Sequence, residues 1–226
     1  MHKAEEITFS AGEKVGRVSG LLILPKGAQA VFVLAHGAGA GMRHRFMEET
    51  AQKLADHGIA TLRYQFPYME KGSKRPDREA VLTTSVRAAV ATAKKYADSL
   101  PLFAGGKSMG GRMTSLASAK EPLEGVRGLI YFGFPLHAAG KPSVNRGDHL
   151  FDTNLPMLFL QGSRDALADL KLLKPLCARL GKKVELFVID GGDHSFHLLK
   201  SSGRSDDQAL DETVAKTSSW ISRLIT

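Results

Sequence analysis

Cysteine is nearly absent from this chain of 226 residues, with Cys177 the only one. No disulfide can form within the chain, and no thiolate cluster can hold a metal. Long apolar runs are missing as well. No stretch reaches membrane-spanning length, and the opening Met1-His2-Lys3-Ala4-Glu5-Glu6 is polar where a secretion signal needs an apolar core. A reducing cytoplasm is the expected setting, with no membrane partner. Acidic residues are the minority charge, 23 against 31 Lys plus Arg, giving a net charge of +8. The basic excess is scattered, with short clusters only at Lys71 to Arg78 and Lys141 to Arg146 and no interleaved aromatics. A solvated basic surface therefore accounts for it better than a specific nucleic-acid site.

Three other signatures are incomplete. Gly106-Lys107-Ser108 matches the end of a phosphate-binding P-loop, yet Pro101 occupies the place of the required glycine. The run from Gly37 to Gly41 begins like a dinucleotide fingerprint, but Met42 stands at its last glycine and no ribose-binding acid follows. No H-E-x-x-H or paired His-Asp spacing occurs. No metal is expected.

What is present is an ordinary globular composition, 43% hydrophobic and 24% charged, enough for a sizeable core in one domain over residues 1–226. Short apolar runs alternate with helix-like stretches. The runs are Gly20 to Leu24, Ala30 to Ala35, Ile59 to Tyr64, Leu102 to Ala104, Gly128 to Phe132, Pro156 to Leu160 and Val184 to Ile189. Most are continuously apolar, as strands covered on both faces require. Helical patterns fall at Phe46 to His57, Asp77 to Ser99, Gly110 to Lys120, Leu167 to Leu180 and Asp206 to Leu224. Glu6 to Pro25 instead holds two strand-like runs with no helix between them, which predicts an antiparallel hairpin at one sheet edge. The rest predicts an α/β fold with a mostly parallel, doubly wound sheet.

In such a sheet, ligands bind at the carboxyl ends of the strands. Gly106-Lys107-Ser108-Met109-Gly110 follows the run at Leu102 to Ala104 and precedes a helical pattern. A G-x-S-x-G there predicts a nucleophile elbow, a sharp turn that lifts one hydroxyl above the sheet. Asp165 follows the run ending at Leu160, and His194 follows the run ending at Ile189. A serine hydroxyl is a weak nucleophile near neutral pH. It needs an imidazole to take its proton and a carboxylate to hold that imidazole in the right tautomer. Ser108 is thus the candidate nucleophile, His194 the base and then acid, and Asp165 the orienter. Asp148 or Asp152 are rivals for the carboxylate, and His197 for the imidazole. Donors for an oxyanion are expected from the backbone N–H of Met109 and, in the small-residue loop His36-Gly37-Ala38-Gly39, from that of Ala38. His36 reads as a loop-shaping residue and Cys177 as core.

These motifs carry a resemblance. His36-Gly37-Ala38-Gly39 with Phe46-Met47, Phe66-Pro67-Tyr68-Met69 with Arg75-Pro76-Asp77, and Gly105-Gly106-Lys107-Ser108-Met109-Gly110-Gly111-Arg112 span half the length. Phe134-Pro135-Leu136-His137 with Gly140-Lys141-Pro142, Phe159-Leu160-Gln161-Gly162 with Arg164-Asp165, and Gly192-Asp193-His194-Ser195-Phe196 span the rest. Together they resemble the α/β-hydrolase superfamily, and within it the dienelactone-hydrolase-like branch. That branch includes the testis-expressed hydrolase-like proteins and the hydrolase-like domain of a subunit of the NSL histone-acetyltransferase complex. The resemblance implies the same trio of Ser108, Asp165 and His194 and no cofactor. Dienelactone hydrolases proper carry a cysteine nucleophile, so serine at 108 turns the expectation to general esterase chemistry on a small-molecule ester. The branch also holds scaffolding members, which makes a non-catalytic interaction domain the alternative. Little chain lies between Phe132 and Pro156 to build a cap, so an open mouth is expected, lined by Tyr68, Phe66, Phe134 and His137.

Overall fold

A computed structural model describes residues 1–13 and 15–225. Eight strands form one sheet: β1 (Glu5–Ser10), β2 (Arg17–Ile23), β3 (Ala30–Ala35), β4 (Ile59–Tyr64), β5 (Leu102–Lys107), β6 (Val126–Phe132), β7 (Met157–Gly162) and β8 (Val184–Ile189). Their order is β1-β2-β4-β3-β5-β6-β7-β8. The expected hairpin is β1 and β2, and β2 joins β4 antiparallel, while all pairs from β4 to β8 are parallel. This is the α/β-hydrolase fold the sequence predicts. The helices are α1 (Arg45–Asp56), the single turn α2 (Pro67–Glu70), α3 (Glu79–Tyr96), α4 (Met109–Lys120), α5 (Leu170–Leu180) and α6 (Asp206–Ile225). No described helix is long and apolar enough to cross a membrane.

Strand alternation divides the core between the two faces of the sheet. Along β6, Leu129 and Tyr131 join the cluster under α3, α4 and α5, built with Val86, Met113 and Leu173. Ile130 and Phe132 join the cluster under α1 and α6, built with Leu54, Val214 and Trp220. Both faces being covered explains why these strands read as unbroken apolar runs.

The order of strands reverses between β3 and β5, where the chain winds first one way and then the other. The carboxyl ends of these two neighbours, paired through Ala35 and Gly106, therefore flank the crevice in which such sheets bind ligands. β5 runs three residues past the apolar stretch that marks it in the sequence, through Gly105 and Gly106 to Lys107. Glycines weaken a strand reading, but here the neighbouring strand demands one. A Cβ added at Gly105 would lie 1.8 Å from the Ile130 carbonyl oxygen. α5 starts at Leu170 rather than Leu167, because the side chain of Asp169 caps it by accepting from the Lys171 N–H. A 3-10 segment at Asn145–Asp152 lies against the flank of α4 and was not evident in the sequence.

Gly110 tests how tightly α4 is seated. Alanine is the better helix former by about 1 kcal/mol. Its Cβ, however, would stand 2.5 Å from the Ala35 carbonyl oxygen and 2.6 Å from that of His36. Backbone cannot step aside as a side chain can, and overpacking typically costs about 1–3 kcal/mol or more. The contact should win. Gly110→Ala is expected to lower the urea midpoint of unfolding, and an unchanged or raised midpoint would contradict this packing.

Candidate active site

Ser108 links the end of β5 directly to α4. Its backbone sits at φ 50° and ψ −118°, a region that a residue with a Cβ rarely adopts. Such geometry costs on the order of 1–3 kcal/mol and persists only where surroundings over-determine it. They do so here. The Ser108 N–H donates to the Phe132 carbonyl at 3.1 Å, and the Arg112 N–H donates back to the Ser108 carbonyl at 3.1 Å. The side chain is thereby lifted off the sheet toward the loops after β3, β7 and β8.

Asp165 and His194 meet it there. The Ser108 hydroxyl donates to His194 Nε2 at 2.8 Å, and His194 Nδ1 donates to Asp165 Oδ2 at 2.7 Å. This direction follows from the carboxylate, which can only accept and so fixes the proton on Nδ1. The Asp165 side chain is 0% exposed against 22% for His194. Burying a carboxylate is tolerable only with its oxygens satisfied. Besides the imidazole, the Leu167 N–H donates to Oδ1 at 2.7 Å, and Gln161 Nε2 donates to Oδ2. Gln161 in turn accepts the Phe134 N–H at 2.9 Å, so it joins the ends of β6 and β7 beneath the carboxylate.

The rivals lie elsewhere. Asp148 and Asp152 are exposed in the 3-10 segment. His197 pairs with Asp206 at 2.7 Å, which raises its pKa. Asp193 shapes its own turn, accepting from the N–H groups of Ser195 and His197. Cys177 is buried in α5, and burial pushes its thiol up to about 12.

Beside Ser108 opens a cavity of about 380 Å³ walled by Ala38, Ala40, Phe46, Met47, Lys107 and Leu167. Ala38 belongs to the loop after β3, which passes close over the elbow: a Cβ added at Gly37 would lie 3.6 Å from that of Ser108. Met109 opens α4, and the first N–H groups of a helix have no partner within it. His36 anchors the β3 loop as expected. It is fully buried, its Nδ1 donates to the Gly37 carbonyl at 2.7 Å, and its Nε2 accepts the Phe66 N–H at 3.0 Å.

The four residues expected to line the mouth do not wall this cavity. Phe66 is buried edge-on against His36, with ring centroids 4.9 Å apart. Tyr68 is buried too, its hydroxyl accepting the Gly39 N–H at 3.2 Å. Phe134 packs between Tyr131 and Phe159 in the core. His137 is buried and accepts the Asp169 N–H at 2.9 Å. All four follow strand ends, but hydrophobic burial or an unpaired backbone group turned each side chain inward. The aromatic wall comes from Phe46 on α1 instead. Two neighbours of the row escaped the sequence reading, Gln161 and Lys107. Both stand inside motifs quoted for the resemblance, and that position was the only signal.

The profile of a family described as alpha/beta hydrolase domain matches residues 28–222. Among solved structures, a dienelactone hydrolase from Anabaena variabilis ATCC 29413 is 20% identical, covers 99% of this chain and 98% of its own, and superposes with a TM-score of 0.77. An esterase domain from Rhodothermus marinus is 15% identical over 99% of this chain and 100% of its own, at 0.74. A serine hydrolase from Xanthomonas campestris, described as lacking a lid, is 21% identical over 95% and 94%, at 0.71. At these identities, likeness extends to the fold alone.

Burial holds the His36 pKa down at about 4 from an ordinary 6.5, partly opposed by its bond to Gly37. Its folded value lies below its unfolded one, so the unfolded chain binds the extra proton first. Stability is then complete above pH 6.5 and is lost as pH falls from 6.5 toward 4, by up to about 3 kcal/mol. Burial and Arg112 hold His149 down to about 4 as well, so it adds to the same slope. Urea titrations at pH 7, 5.5 and 4 should show His36→Gln less stable at neutral pH yet losing less on acidification. Equal acid losses in both proteins would refute a neutral buried His36.

Proposed function

Because the chain belongs to the alpha/beta hydrolase family, we propose that it is a serine hydrolase. It cleaves a small carboxylic ester or thioester through an acyl-Ser108 intermediate. The observation that carries this is the unbroken hydrogen-bonded row from Ser108 through His194 to Asp165, at 2.8 and 2.7 Å. Ser108 Oγ attacks the acyl carbon while His194 Nε2 takes its proton, and Asp165 stabilises the imidazolium without itself being protonated. The carbonyl π electrons move onto oxygen, where the N–H groups of Ala38 and Met109 receive the oxyanion. Collapse of this intermediate expels the alkoxide or thiolate, which His194 protonates. Water then repeats the sequence against the acyl-serine, giving up its proton to His194. The carboxylic acid leaves and the Ser108 hydroxyl is restored.

Several features favour an ester of modest size. Phe46, Met47 and Leu167 give the cavity apolar walls suited to a short acyl chain. Similar folds are described as a dienelactone hydrolase and an esterase domain. Cys177, buried in α5, offers no alternative nucleophile. The motif set also supports kinship with the testis-expressed hydrolase-like branch, and the near-absence of cysteine supports residence in a reducing cytoplasm; we propose both with it.

The test is a fluorophosphonate probe alongside p-nitrophenyl esters of increasing acyl length. Wild type should label and hydrolyse the shortest esters fastest. Ser108→Ala should abolish labelling and reduce hydrolysis by roughly 10⁴- to 10⁶-fold, and Asp165→Asn should reduce it by roughly 10³- to 10⁴-fold. Folded wild type that fails to label would favour the non-catalytic interaction domain instead.

A further inference from the structure

Lys107, the last residue of β5, is the member of the elbow that the proposed chemistry leaves idle. Its stem walls the cavity, and its ammonium passes beneath the loop after β8 and donates to the main-chain carbonyl of His194. Two rings enclose it: the ammonium lies 5.1 Å from the Phe196 centroid and 5.5 Å from that of Phe46. Room for it is left by Gly133, where an added Cβ would come within 2.7 Å of Nζ and 3.4 Å of His194 Cε1. The charged groups around it are Asp165 on the loop after β7 and Asp193 on the loop after β8. His194 stands on that same loop, and α1 brings the Phe46 ring, with His44 beside it on the cavity rim.

The loop that carries His194 needs such an anchor. Phe196 sits at φ 63°, the left-handed region, which is strained for a bulky residue. It is nonetheless buried, with its ring 6.0 Å from Phe46 and its N–H on the Asp193 carbonyl at 3.0 Å. The face it turns to the ammonium joins this strained turn to the strand that leads into Ser108. An apolar side chain would fill the same space without the desolvation that a buried charge incurs.

We propose that Lys107 is a positioning residue for His194. Its ammonium, bonded to the His194 carbonyl and held between Phe46 and Phe196, fixes the loop so that the imidazole meets Ser108. This rests on the reading of His194 as the base.

The experiment follows the second-order rate of fluorophosphonate labelling from pH 6 to 10, together with amide hydrogen exchange across residues 192–198. Burial brings Lys107 down to about 8, against the pull of Asp165 and Asp193. The ammonium therefore loses its proton as pH rises through 8, and wild-type labelling should decline above that point. K107M should label about 10- to 100-fold more slowly, the range expected of a misplaced base. It should lack the decline and exchange faster across the loop. Aminoethylation of K107C restores an ammonium of lysine length, with Cys177 too deeply buried and too weakly acidic to compete. It should bring back both the rate and the decline.

K107M matching wild type in rate and pH profile would overturn the positioning role. Failure of wild type to label, or labelling of S108A, would instead overturn the nucleophile reading. Loop exchange then decides for Lys107 alone, and protection unchanged in K107M rejects the proposal. Should K107M not fold, wild type above pH 8 serves in its place. Loop exchange that rises there no faster than intrinsic base catalysis would also reject the clamp.

Discussion

The close approach of the β5–α4 turn to the end of β3 is the constraint on which the rest of the molecule depends. A Cβ at Gly106 would fall 2.2 Å from the Ala35 carbonyl oxygen, and one at Gly110 2.5 Å from the same atom. Main chain thus packs on main chain on both sides of Ser108. Together with the Ser108 N–H bond to the Phe132 carbonyl, this close packing holds the serine at its unfavourable φ of 50°. It also brings the β3 loop over the elbow, where an added Cβ at Gly37 would lie 3.6 Å from that of Ser108. One packing decision by two glycines sets both the direction of a hydroxyl and the path of the loop that crosses it.

The histidine loop is governed from another side. β7 and β8 end together, and their loops are cross-tied: the Arg164 N–H donates to the Gly192 carbonyl at 2.8 Å, and the Gly191 N–H to Ser163 Oγ at 2.8 Å. Asp165 and His194 are therefore set relative to each other before either meets Ser108. Their 2.7 Å bond needs little further ordering of side chains. What these ties do not fix is the distance from β8 back to β5, which is separated from it by two strands. Lys107 and the Phe46–Phe196 pair span that gap.

Much of this was legible because strand ends are legible. Largely apolar runs mark β3 to β8, and the parallel arrangement puts their carboxyl ends on one rim. Ser108, Asp165 and His194 then share that rim by chain order alone. What the pattern lacks is the direction in which a loop side chain turns. Phe66, Tyr68, Phe134 and His137 also follow strand ends, yet each is itself buried against a partner: His36, the Gly39 amide, the Tyr131–Phe159 pair and the Asp169 amide. Lys107 was hidden for the opposite reason. A lysine in a sequence reads as surface charge, and only the crossing of three chain segments encloses this one.

The connection between β6 and β7 decides how the site manages water. It does not rise over Ser108. Its 3-10 segment is tied to the flank of α4 by Ser115 and His149 at 2.7 Å, and Ser118 and Thr153 hold the chain just beyond at 3.2 Å. Leu150 is buried beneath it. The mouth at Ser108 consequently stays open, and no closing element exists among the described residues of this connection to dry it. Electrostatic stabilisation in an open site must come from groups fixed before a ligand arrives, since none can be recruited by closure. That is the arrangement found here, with a fully buried carboxylate at one end of the row and a backbone-pinned elbow at the other. The Lys107 ammonium holds the main-chain carbonyl of the residue that carries the imidazole.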